Sequence, residues 1–254
     1  MTISYGPLLR RVILGGLLVL VIGVIAGLAG NPDVIRANGA ASGIYLGLLA
    51  LAVAFYGWFA LARTRARTAG EEIALRSGTL LGLACGAAWL GEVTIANIVG
   101  PLLGPLNTSL YYLAEVTAVF LPAIAGFLAG RSSGHLATGL AAGLLCGLLG
   151  GLILFDCSIV TPALITGVQP DAQTLAEFQR SGMTSLQAYL VSDTLAATIA
   201  HLWIGILTGL CFGFLGSAVG TTLPAGKQAQ AATSPRLKLS DEPLDPGAER
   251  RIGQ

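Results

Sequence analysis

Long unbroken apolar runs, rather than alternation, set the pattern of this chain. They lie at 12–30, 41–62, 77–99, 110–130, 136–160 and 188–213, separated by polar, glycine- or proline-bearing segments. At ~1.5 Å of helical rise per residue, each run is long enough to cross about 30 Å of hydrocarbon. The predicted fold class is an all-α integral membrane protein with six transmembrane helices occupying residues 1–220. From residue 221 to 254 the composition turns polar and proline-bearing, which predicts a disordered cytoplasmic tail.

The joints between runs carry their own signals. Asn31-Pro32-Asp33 breaks the first helix and leaves Arg36 in a short loop. A cleaved signal peptide competes for this first run, because Gly27-Leu28-Ala29 has a small-x-small form; the run is, however, longer than the ~7–15 residue core of such a signal. Tyr45, Tyr56, Trp58 and Phe59 approach the basic edge at Arg63, Arg65 and Arg67, as headgroup-level aromatics do. The linker from there to Arg76 also holds Glu71 and Glu72. Asn107-Thr108-Ser109 has the form of a glycosylation sequon, but it lies so close to the membrane that it reads as a helix cap. Pro122 falls inside the fourth span, where its missing N–H frees the carbonyl of Ala118 and predicts a kink. Within the longest loop, 161–187, residues 171–180 predict a short surface helix that Gly182 ends.

Sliding the sequence by 61 positions, Gly78 onto Gly139, also aligns Gly82/Gly143, Leu83/Leu144, Cys85/Cys146, Gly86/Gly147, Ile98/Ile159, Val99/Val160, Pro101/Pro162 and Leu103/Leu164. The cysteine and proline pairs carry most of the weight, since glycine and leucine coincide easily in so apolar a chain. This predicts a parallel internal repeat of spans 3-4 on spans 5-6, with its axis along the membrane normal. Glycines recur at every fourth position in three spans, at Gly78, Gly82 and Gly86; at Gly139, Gly143, Gly147 and Gly151; and at Gly205, Gly209 and Gly213. Such stripes let helix backbones approach closely in lipid, so these positions are expected to be a packing zipper.

Composition narrows the class. The chain is 54% hydrophobic and 11% charged, and its mean hydropathy of +0.76 lies outside the range of soluble domains. A formal net charge of +1 gives no basis for nucleic-acid binding. Cys85, Cys146, Cys157 and Cys211 fall in or near apolar runs with no zinc-type spacing, so they read as packing residues, with Cys157, near the outer end of its helix, left open. If the N-terminus is cytoplasmic, all of the 14 Lys and Arg except Arg36 and Arg180 fall on the cytoplasmic side. The positive-inside rule therefore predicts a multi-pass protein of the cell (plasma) membrane with both termini inside.

Candidate chemistry rests on four acids inside the spans: Glu92, Glu115, Asp156 and Asp193. No Lys or Arg lies within a span to pair with them. A carboxylate at a helix centre costs about 2.5–3.5 kcal/mol on insertion scales, so each must be protonated, face water or hold a cation. Asp156 and Glu115 sit close enough to span ends to reach the headgroups instead. His201 and Asn97 complete the set of candidate ion or proton groups; a lone intramembrane histidine is also commonly a hydrogen-bonding fastener. The short turn between spans three and four makes them antiparallel neighbours, bringing Glu92 and Glu115 to similar depth. There is no GxGD, GxSxG, HExxH or Walker motif, so an enzyme is not indicated, and nothing calls for a cofactor or metal. Two readings remain. One is a small transporter or channel for protons or a small cation. The other is a non-catalytic membrane subunit that assembles with partners, or with copies of itself, through glycine-rich faces. The lipid bilayer is the one partner that the composition itself demands.

Orientation gives a direct test. Single cysteines at Thr68 and Ala229, in a chain stripped of its native cysteines, are expected to react only with reagents that reach the cytoplasm, and one at Thr174 only from outside. Labelling of Thr174 from the cytoplasmic face would invert the arrangement.

Overall fold

The computed structural model describes residues 5–64, 68–95, 106–164 and 172–223, and these are almost wholly helical. The helices are α1 (Tyr5–Gly30), α2 (Asp33–Asn38), α3 (Ala40–Arg63), α4 (Ala69–Thr94), α5 (Leu106–Ser133), α6 (Leu136–Leu164), α7 (Ala172–Ser181) and α8 (Leu186–Thr222). All but α2 and α7 are long and apolar enough to cross a membrane. The protein is thus an all-α chain with six candidate spans. A helix satisfies its own backbone polar groups, which is what a bilayer interior requires of a spanning segment.

Local chemistry explains most of the boundaries. Asn31 closes α1 by donating from its side-chain amide to the carbonyl of Gly27 at 3.0 Å. Thr68 opens α4 with a reciprocal cap: its hydroxyl accepts from the Glu71 N–H at 3.2 Å, while its own N–H donates to Glu71 Oε2 at 2.9 Å. Gly134 and Gly182, each at φ +70°, end α5 and α7 in the left-handed conformation that glycine tolerates. Ser185 caps α8 by accepting from the N–H of Ala188.

Several expectations are corrected here. Arg36 belongs to α2, not a loop, and pairs with Asp33 at 3.4 Å. Glu71, Glu72 and Arg76 lie in the opening turns of α4 rather than in a linker, because the Thr68 cap starts the helix early. Asn107, Thr108 and Ser109 fall inside the first turns of α5, which begins at Leu106, so they do not cap it. The last span continues well past 213, to Thr222. Residues 224–254, where the tail was expected, lie outside the described residues, as do Asn97, Pro101 and Leu103.

α6 is the hub. Of its most apolar stretch 67% is buried within the bundle, against 22% for α1. It packs on α4, α5 and α8, and more lightly on α1. α1 and α3 lie outside this core, touching it through Ile13, Leu20, Tyr56 and Phe59 and presenting Leu18, Ile22, Ile44 and Leu51 outward. The α6–α8 contact is backbone on backbone. A Cβ placed on Gly205 would lie 2.5 Å from the Gly147 carbonyl oxygen, and one on Gly213 would lie 2.8 Å from the Gly143 Cα. Gly151 leaves room for Tyr56, whose hydroxyl donates to the Leu202 carbonyl at 3.4 Å. α5 runs through Pro122. The carbonyl of Ala118, which loses its helical donor to that proline, accepts the Cys85 thiol of α4 at 3.3 Å.

The packing does not confirm the internal repeat. Gly78, Gly82 and Gly86 of α4 receive Leu145, Leu149 and Ile153 of α6. Their offset counterparts Gly139, Gly143 and Gly147 instead face α8 and α5, at Ser217, Gly213, Gly205 and Gly126. A two-fold pair would turn both stripes on each other. Here α6 gives its leucines to α4 and its glycines to α8.

Because the α6–α8 seam has no space for a methyl group, Gly205→Ala is expected to cost ~2–3 kcal/mol by overpacking. Gly47→Ala, where nothing lies within 4 Å of an added Cβ, is expected to be neutral or to gain up to ~1 kcal/mol of helix propensity. Unfolding midpoints in mixed micelles of rising SDS content measure both. Equal midpoints would mean that stability does not rest on this seam.

Candidate carboxyl cluster between α4, α5 and α8

Three helices bring chemistry to one place. The last turns of α4 supply Trp89 and Glu92, the early turns of α5 supply Tyr111 and Glu115, and the middle of α8 supplies His201. Glu92 is buried, with 9% of its surface exposed. The Tyr111 hydroxyl approaches its carboxyl, and Glu115 and His201 are both close enough for their charges to act on it. Glu115 and His201 are half-buried. The spacing within each helix accounts for the grouping: Trp89 and Glu92 are three apart on α4, and Tyr111 and Glu115 four apart on α5, so each pair shares a face.

His201 is held from two sides. Its Nδ1 lies 2.7 Å from the Ala197 carbonyl oxygen. A carbonyl can only accept, so Nδ1 carries the hydrogen and Nε2 is left as the acceptor in the neutral ring. Trp89 meets the imidazole edge-on, with ring centroids 6.1 Å apart and planes at 79°. The resulting set is two carboxyls, a phenol and an imidazole, all groups that can gain or lose a proton, with no Lys or Arg among them.

The other expected site residues are elsewhere. Asp193 is exposed on α8 and interacts with Glu177 of α7. Glu177 also accepts the Tyr189 hydroxyl at 3.3 Å, and Phe178 packs on the Tyr189 ring. Asp156 of α6 is alone of the four in facing α1. Its Oδ2 lies against Gly16, where an added Cβ would be 2.8 Å away, and its Oδ1 is buried with no hydrogen-bond partner among the described residues. Asn97 lies outside the described residues. Trp89 and Tyr111 were not singled out by sequence reasoning for this cluster, although their three- and four-residue spacing from the two glutamates was available as a signal.

Among the described residues no group of three or more His, Cys, Asp or Glu side chains is arranged to hold a metal. A cavity of about 40 Å³ lies apart from the cluster, where Asn38 of α2 donates to Ser192 Oγ of α8 at 2.8 Å. No family model, curated protein or solved structure matches this chain.

The Trp89–His201 contact offers an optical readout. With Trp58 and Trp203 replaced by Phe, the emission of the remaining Trp89 is expected to change in His201→Gln, which takes the imidazole edge away from the indole. Identical Trp89 emission with and without the His201 ring would show that the two rings do not meet.

Proposed function

We propose that this chain is a small membrane transporter or channel for protons or a small cation, and that Glu92, Glu115 and His201 are the groups that handle the charge. The convergence of two carboxyls and an imidazole from three different helices on a buried spot supports this reading. Ionisable side chains inside spans are costly to keep and mark ion or proton routes more often than they mark packing. Carboxyls on neighbouring helices can pass a proton or hold a cation between them, which is the chemistry such a route needs. Tyr111 then orients Glu92, and the unprotonated Nε2 of His201 is the next acceptor along.

The second reading, a non-catalytic subunit or homo-oligomer, has one observation in its favour. Gly43 and Gly47 of α3 form a small-xxx-small pair with nothing within 4 Å of a Cβ on either. The long glycine stripes of α4, α6 and α8 are occupied inside the bundle and are not free to bind partners. In this reading the protein's membrane is the cell membrane and both termini are cytoplasmic, as the distribution of basic residues favours.

Reconstituted vesicles carrying an internal pH dye distinguish the two. Wild-type protein is expected to dissipate an imposed pH gradient, Glu92→Gln and Glu115→Gln to lose at least ~10-fold of that rate, and Asp193→Asn to retain it. Retained flux in both glutamine variants would remove the cluster from the route. An inactive wild type, together with disulfide cross-linking of Gly47→Cys into dimers, would replace transport with assembly.

A further inference from the structure

A second feature is independent of the carboxyl cluster and lies on the outer side of the α5–α8 pair. Here the two helices run parallel, with Ala123 opposite Gly216 and Phe127 opposite Gly220. Gly216 sits directly on the Ala123 carbonyl, with no space for a methyl, so the floor of the seam between the helices is backbone. The walls are large apolar side chains, and the result is an open groove of about 370 Å³. One end is closed by Phe120 and Phe212, whose rings are 5.8 Å apart. At the other end the Arg131 guanidinium stands 6.0 Å above the Phe127 ring.

Three properties of the groove specify its occupant. Its lining, which includes Phe127, Leu215 and Val219, is apolar along its whole length. The rise from Phe120 to Arg131 is ~16 Å, half of the ~30 Å hydrocarbon layer and so the depth of one leaflet. Arg131, in the last turn of α5, is exposed and has no acidic partner among the described residues. A chain-deep apolar slot ending in an unpaired cation matches a lipid tail ending in an anion. We infer that the α5–α8 groove binds an anionic phospholipid, with one acyl chain along Phe120–Val219 side chains and the headgroup phosphate on Arg131. A guanidinium can present two N–H donors to one phosphate, which a zwitterionic lipid satisfies less well because its own ammonium competes.

Native mass spectrometry of the full chain in mild detergent tests this with phosphatidylglycerol and phosphatidylcholine of identical acyl chains. The wild type is expected to retain one phosphatidylglycerol in preference to phosphatidylcholine. Arg131→Gln is expected to reduce that preference about fivefold, the effect of one basic side chain on an anionic lipid. Val219→Trp, which fills the groove from an exposed position, is expected to lower retention of both lipids, whereas Leu128→Trp, exposed but off the groove, is expected to change neither. Unaltered SDS unfolding midpoints establish that the variants are folded. Equal retention of the two lipids by the wild type, or phosphatidylglycerol retention indifferent to both Arg131→Gln and Val219→Trp, would overturn the inference. So would a dimer that Val219→Trp dissociates, which would assign the groove to a second copy of the chain.

Discussion

The approach of α6 to α8 through bare backbone is the constraint on which the rest of the bundle depends. In lipid, apolar side chains gain little by leaving their surroundings, and helix association relies on close contact and dispersion. Gly147 against Gly205 and Gly143 against Gly213 give that contact. His201 lies one helical turn before Gly205, and its carbonyl would be 3.2 Å from a Cβ on Gly151. The seam that joins the two helices therefore also sets the depth and rotation of the imidazole. α4 then fixes the other half of the cluster by receiving Leu145, Leu149 and Ile153 into its own glycine notches, which brings Trp89 and Glu92 up to α8.

A second requirement, that no backbone or hydroxyl group go unpaired in hydrocarbon, is met mostly within each helix. Thr117, Thr198 and Thr208 donate their hydroxyls to carbonyls four residues back, at 2.6–2.8 Å. Pro122 breaks this self-sufficiency, and the carbonyl it frees at Ala118 is answered from another helix by Cys85. That bond ties α4 to α5 three residues beyond Glu115, so a residue read from the sequence as mere packing is also a fastener between the two acid-bearing helices. The buried Oδ1 of Asp156 lacks such an answer. It makes the α1–α6 contact one of the places, with Thr79 of α4 and Asn107 of α5, where a buried polar atom has no partner among the described residues.

The six spans were legible because hydropathy over some twenty residues is a strong, local signal. α2 was not, since six residues following Asn31-Pro32 carry no periodicity that separates a helical turn from a loop. The early start of α4 was written in Thr68 and Glu71, a capping box hidden by the charges around it. Glu92 and Glu115 were placed together by connectivity alone, because a short link forces neighbouring antiparallel helices. His201 reached them through the tertiary contact of α8 with α6, and no spacing along one strand of sequence encodes such a contact. The same limit explains the repeat: a match of residue types at offset 61 says nothing of which neighbour each glycine faces, and those neighbours differ.

The two kinds of glycine contact have different mechanical consequences for the proposed charge route. Between α6 and α8 the opposing atoms are backbone, which cannot yield without separating the helices. Between α4 and α6 they are chiefly the side chains of Leu145, Leu149 and Ile153 set in the notches of Gly78, Gly82 and Gly86, with the Ala142 carbonyl also against Gly78, and a leucine can change rotamer without moving its helix. α5 meets α8 through backbone as well, with Gly126 against Gly213 and Gly216 on the Ala123 carbonyl, so α5, α6 and α8 form the rigid group, to which the Cys85 thiol ties α4 at Ala118. A route that opens and closes at Glu92 would then involve α4 shifting against the fixed group of α5, α6 and α8. Since Glu92 travels with α4 while Glu115 and His201 stay with the fixed group, the distances from the Glu92 carboxyl to those two side chains are the quantities that such a motion would change.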